Sequence, residues 1–153
     1  MDLFLLRHAD ALDHAPTDLE RPLSEKGHQQ ADKLARYFTA ARLKPAQILS
    51  SPAVRTMETA GAIARALALP VLACEWALPG MHPDDAIDGL KPFRDSGPVL
   101  LVGHQPDIAL FAAKLLSYHF PERLRISKAS LMHLNLFSAD SAELESFLPC
   151  NLI

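Results

Sequence analysis

Four short apolar runs, separated by helical patterns, constrain this chain more than any other feature. They are Leu3–Leu6 (LFLL), Gln47–Leu49 (QIL), Pro70–Ala73 (PVLA) and Val99–Val102 (VLLV), and they read as strands buried on both faces. Ser24 is placed to N-cap the first intervening helix. Glu25 stands in its opening turn, and Ala31, Leu34, Ala35 and Phe38 fall on one face. Ser51-Pro52 signals a second helix, with a stripe of Met57, Ala60, Gly61, Ala64, Leu67 and Ala68. After Pro106 a third repeats the pattern through Ile108, Phe111, Ala112, Leu115 and Leu116. Near the end, SLMHLNLF alternates Met132, Leu134 and Leu136 with His133 and Asn135, the period of a strand with one wetter face. ELESFL is placed to pair with it as a hairpin across Ser138–Ala142. The expectation is a three-layer α/β/α fold with a mostly parallel sheet and a C-terminal antiparallel hairpin, forming one domain over residues 1–153.

In such a sheet, ligands collect beyond the carboxyl ends of the strands. Three of the runs end there in chemically capable residues. The first delivers Arg7 and His8, the second leads into SSPAVRTMETA and Arg55, and the fourth leads through Gly103 to His104. Parallel strands bring all four side chains to one sheet edge, where helix N-terminal amides add partial positive charge. Two guanidinium forks suit the oxygens of a tetrahedral dianion, and a neutral imidazole is a competent nucleophile. The neighbouring arginines favour a neutral His8. Taken alone, an arginine at a strand end is usually a solvated cation and a histidine after glycine usually a turn residue. Independent surface residues have no reason to cap three buried strands together.

The rest of the composition narrows the classes. With a net charge of −3 and scattered basic residues, the chain lacks the footprint of a nonspecific nucleic-acid binder. Cys74 and Cys150 stand far apart, without metal-ligand spacing or the density of a disulfide scaffold. There is no signal-peptide pattern and no apolar stretch of membrane-spanning length, so a cytoplasmic monomer without a membrane partner is expected. No Asp, His and Cys cluster suggests a metal, and no cofactor is expected. His14, His28, His82, His119 and His133 read as loop, helix-surface or edge-strand residues.

LLRHADA, SSPAVRTMETA and VGHQP together resemble, in order, the three signature segments of the histidine phosphatase superfamily, the phosphoglycerate-mutase-like group. The resemblance implies that His8 is the nucleophile that becomes phosphorylated, with Arg7, Arg55 and His104 completing the phosphate pocket. Ala9 replaces the family's usual Gly, and Glu58 its usual Gln. The short interval Glu75–Pro98 leaves no room for the lid found in larger members. RPLSEKG, with Arg21, is similar to the small SixA-type phosphohistidine phosphatases. Arg21 either approaches the phosphate from the side or pairs with Asp18 or Glu20. Larger members place a general acid in the region of CEWALPGMHPDD. Here Glu75, Asp84 and Asp85 are weak candidates, with Asp84 expected to cap a short helix behind Pro83, and Ala77 falls where the carboxylate is first sought. The implied function is a metal-independent phosphatase acting on phosphohistidine of a phosphorelay or phosphocarrier protein. A phosphatase for small phosphate esters is the alternative, and a noncatalytic phosphate-binding module is the alternative of another class.

Overall fold

A computed structural model describes all 153 residues. The strands are β1 (Asp2–Arg7), β2 (Gln47–Ser50), β3 (Val71–Ala73), β4 (Val99–Gly103), β5 (Leu131–Leu136) and β6 (Ala142–Leu148). The helices are α1 (Glu25–Ala40), α2 (Val54–Leu67), α3 (Pro83–Leu90) and α4 (Asp107–Leu115). One six-stranded sheet runs in the order β3-β2-β4-β1-β5-β6. β1 to β4 are mutually parallel, whereas β5 pairs antiparallel with β1 and with β6. The α/β expectation and the C-terminal hairpin are both found.

The period-2 geometry of β1 sorts its apolar run onto two cores. Leu3 and Leu5 join Leu49, Leu101, Ile108 and Phe111 under α3 and α4. Phe4 and Leu6 join Leu34, Phe38, Ile63 and Val102 under α1 and α2. β1 and β4 are therefore clothed on both sides, as their uninterrupted apolar sequence requires. Each fully buried Leu or Phe contributes roughly 1.5–3 kcal/mol, so these two strands are the best-anchored platform in the molecule.

Ser24 caps α1 as expected, its hydroxyl accepting the Gly27 amide at 3.0 Å, and Ala31, Leu34, Ala35 and Phe38 are buried. Four details depart from the sequence reading. β3 is an edge strand with only β2 beside it, and Leu72 and Ala73 are exposed rather than covered on both faces. The buried face of α2 is rotated: Arg55, Thr56, Thr59 and Ile63 go inward, while Met57, Gly61 and Leu67 are only half-buried and Ala68 is exposed. Both threonines satisfy their hydroxyls on nearby carbonyls, Thr56 on Ser51 and Ala53, Thr59 on Arg55, and so bury without penalty. His82, not Asp84, caps α3. With Pro83 at the first helical position, the preceding residue becomes the cap, and the Asp84 carboxylate instead pairs with Lys114. His133 lies on an interior strand, stacked on Phe4 at 4.5 Å and bonded to Asp2.

The interval between β3 and β4 packs down instead of arching over the sheet edge. Ala77, Met81, Ala86, Ile87 and Leu90 all sit in the α3–α4 core. The buried carboxylate of Asp107 pins the preceding turn by accepting the Gly80 amide at 2.9 Å. No lid forms, as the length of this interval led one to expect.

Candidate active site

β4 lies between β1 and β2, so three adjacent strand tips open at one place. Arg7 is in register with Gly103, and Ser50 with Val102. The residues that follow, His8, Ser51 and His104, are all buried. Arg55 enters from the first turn of α2, its side chain 4% exposed.

His8 is the centre of the arrangement. Its Nδ1 lies 2.7 Å from the Ala9 carbonyl oxygen. A carbonyl only accepts, so Nδ1 carries the proton and Nε2 keeps its lone pair. Burial, with added repulsion from Arg55, Arg7 and Lys128, pushes the His8 pKa down to about 4 even against the opposing Ala9 bond. Burial is the larger cause, ahead of the neighbouring cations that the sequence pointed to. The result at neutral pH is an uncharged imidazole with one free, unprotonated nitrogen.

His104 has its ring centroid 5.4 Å from that of His8. Its Nε2 is 2.8 Å from the Ser51 hydroxyl, and its Nδ1 faces Arg55 Nη2 at 3.4 Å. Because guanidinium only donates, Nδ1 accepts and the Nε2–H donates to Ser51. Burial, then the charge of Arg55, then that of His8, lowers the His104 pKa to about 3. In this state both nitrogens are engaged, and His104 orients Arg55.

Arg7 donates from Nη1 to the Ile126 carbonyl at 2.8 Å, and Arg55 donates to the Asp18 carbonyl and carboxylate at 2.6 and 2.9 Å. The Nε–H of each is buried with no protein partner. Buried polar groups are almost always paired, so these two donors are free to meet an oxyanion. Arg21 sits farther out, its Nε 3.2 Å from Asp18 Oδ1 and its Nη1 3.9 Å from Asp13. Asp18 thus stands between Arg21 and Arg55, and the sequence alternative in which Arg21 pairs with Asp18 is the one observed.

Several site residues escaped sequence reasoning. Asp18 had entered only as a partner for Arg21, yet it grips Arg55 across 37 positions. Ser51 was read only as a helix-start signal. Thr59 accepts the Ala9 amide at 3.1 Å while donating to the Arg55 carbonyl, tying the helix that carries Arg55 to the residue after His8. For Ser51 and Thr59 the signal was present in the segment SSPAVRTMETA, whose serines, arginine and threonines are all buried, whereas nothing local marked Asp18. The two departures from the family pattern are harmless. Ala9 is buried without a left-handed backbone, and Glu58 accepts the Leu23 amide through one carboxylate oxygen, as a Gln carbonyl would. Of the acid candidates, Ala77 is core, Asp84 is held by Lys114, and Glu75 and Asp85 are exposed. No three His, Cys, Asp or Glu side chains gather as a metal site, and Cys74 and Cys150 are free thiols.

Residues 3–75 match the family model of the histidine phosphatase superfamily (branch 1). Over its whole length the chain is similar to the phosphohistidine phosphatase SixA of Escherichia coli (strain K12), with 25% identity covering 99% of this chain and 96% of that protein. Its first half carries the sequence pattern of the histidine phosphatase superfamily. An uncharacterised protein of Picosynechococcus sp. is 29% identical, covering 88% of this chain and 84% of that one. Among solved structures, the protein histidine phosphatase SixA complexed with tungstate superposes with a TM-score of 0.91 over 100% of both chains at 22% identity. A phosphoserine phosphatase from Entamoeba histolytica superposes at 0.79 over 99% of this chain and 98% of that one, with 16% identity. The histidine phosphatase fold therefore spans the whole chain, although the family match itself covers only its first half. No helix is long and apolar enough to cross a membrane.

Proposed function

We propose that this protein is a phosphohistidine phosphatase that works through a phosphorylated His8. One observation carries the reading: the Ala9 carbonyl holds the proton on Nδ1 and leaves a lone pair on Nε2 beside two arginines. In the first half-reaction Nε2 attacks phosphorus, the bond to the leaving group breaks, and the developing positive charge on the ring is met by the Ala9 carbonyl. Arg7 and Arg55 receive the equatorial oxygens through donors already desolvated, where such contacts are worth most. Water then attacks the phosphoryl group on His8, releasing inorganic phosphate and restoring the neutral ring.

The leaving group selects the substrate class. Expelling an alkoxide requires a proton delivered as the bond breaks. The acid nearest Arg55 is Asp18, and the hydrogen bond from Arg55 holds its carboxyl below the usual range, so it is ionised and has no proton to give. A substrate imidazole can be protonated on its own ring before it departs and needs no enzyme acid. Similarity to SixA along the full chain points the same way, and the open sheet edge admits a protein-borne phosphohistidine, as on a phosphorelay or phosphocarrier component. The fixed guanidiniums supply the charge stabilisation, so turnover proceeds in EDTA.

Rapid quenching after incubation with a labelled phosphodonor should trap an acid-labile, base-stable phosphoryl group, and His8→Ala should abolish both label and turnover. Label that survives in the variant, or a strict magnesium requirement, overturns the reading. Comparing kcat/KM on phosphohistidine and 3-phosphoglycerate tests the substrate, with equal efficiency on phosphoglycerate removing it while leaving the His8 chemistry.

A further inference from the structure

Beside the His8 pocket runs an open groove of about 640 Å³, between α1 and the segment ahead of β5. Lys26 and Lys33 project into it from α1, and Lys128 and Ser127 form the opposite wall. It adjoins the site at two points. Asp10, two residues beyond His8, lines it, and Ser127 also lines the 440 Å³ depression that contains Arg7.

The charges in this groove do not cancel. Asp10 is its one carboxylate, and it is already held by Lys128 and by the Ser24 hydroxyl, each at 2.6 Å. Lys33 donates to a neutral acceptor, the Cys150 carbonyl, and Lys26 has no carboxylate within ion-pair distance. Two uncompensated cations therefore share one groove on a chain whose net charge is −3. They lie two helical turns apart on α1, about 10.5 Å along its axis. That spacing matches acidic residues two turns apart on a partner helix, or about three apart on an extended strand.

We propose that this groove receives an acidic stretch of the phosphohistidine-bearing protein, so that Lys26 and Lys33 select which phosphoprotein reaches His8. The proposal rests on the phosphohistidine reading and names the partner's chemistry. Two exposed ion pairs are together worth about tenfold in affinity at low salt. They act by steering and retention, not on the chemical step.

Two synthetic phosphohistidine peptides test it, one flanked on both sides by glutamates and the other by glutamines, with p-nitrophenyl phosphate as a small substrate. The wild-type chain should prefer the acidic peptide about tenfold in kcat/KM at low salt. The preference should vanish near 1 M salt, where screening acts within ~3 Å. K26E/K33E should reverse it while hydrolysing p-nitrophenyl phosphate within twofold of wild type, and the milder K26Q/K33Q should abolish it should charge reversal disturb folding. A wild-type chain without preference, or a preference that survives both variants, overturns the proposal. Turnover of p-nitrophenyl phosphate but of neither peptide overturns the phosphohistidine reading, and the groove's occupant with it.

Discussion

The floor and the rim of the site are built from different materials. The floor is His8, Ser51, Arg55 and His104, all at most 6% exposed; His104 is bonded to Ser51 and Arg55, and His8 to the Ala9 carbonyl. The rim is Asp18, Arg21, Asp13 and Lys128, exposed or half-buried and held by ion pairs. Buried bonds of this kind are costly to break because they leave an unsatisfied group behind, whereas exposed pairs contribute little and yield to salt. The difference separates two tasks. On the proposed reading, the floor sets nucleophile and charge before any substrate arrives, and the rim adjusts to what is presented.

Removing a floor charge should have the largest effect. Arg55→Ala should cost roughly 10²–10³-fold in kcat/KM, the usual loss when a preorganised stabilising donor is deleted. A loss below tenfold would place Arg55 with the rim.

A smaller effect is expected from pH. With its pKa near 4, His8 stays mostly neutral at pH 5, so kcat/KM on an acid-stable ester should hold nearly level down to that pH. An ordinary histidine near 6.5 would lose about thirtyfold. Following the imidazole signals by NMR gives the same answer directly, and a His8 midpoint near 6.5 would mean that the floor is wet. Stability should follow the same groups. As pH falls below ~6.5, the unfolded chain binds protons that the folded site refuses. The fold should therefore weaken progressively down to about 4 for His8 and about 3 for His104.

The smallest change belongs to the rim. Asp18 competes with an incoming anion for the guanidinium of Arg55. Asp18→Asn should lower KM for small phosphates, or tighten vanadate, by a few-fold with kcat within about twofold. A fall in kcat of two orders of magnitude would move Asp18 into the floor.

The same division explains what the sequence could disclose. The floor hangs on strands, and LFLL and VLLV announced their burial and their direction, so Arg7, His8 and His104 could be placed at one edge. Arg55 followed from a helix start just after a strand. The rim depends on contacts between segments with no periodicity, such as Asp18 on Arg55 or Lys128 on Asp10, separated by 37 and 118 positions. Local pattern also misled where polar groups were internally satisfied: Thr56 and Thr59 look like surface residues yet face the core. β3 carried a plausible apolar run but no information that it would lie outermost.

Gly27 makes the helix that carries Lys26 and Lys33 inseparable from the loop that follows His8. A side-chain carbon there would sit 1.9 Å from the Asp10 carbonyl oxygen, well inside contact distance. That oxygen also receives the Ser24 amide at the start of the same helix. Along this seam the lysine-bearing flank of α1 and the residues that follow His8 share a single mechanical joint. The charge of that flank can change at little structural cost, because neither Lys26 nor Lys33 makes an ion pair and only Lys33 gives a hydrogen bond, to the Cys150 carbonyl. Its position cannot change so freely, since any bulk at residue 27 would be transmitted within two residues to His8. On the docking proposal, the charge that selects a partner can therefore be altered while the distance from that flank to His8 stays constant.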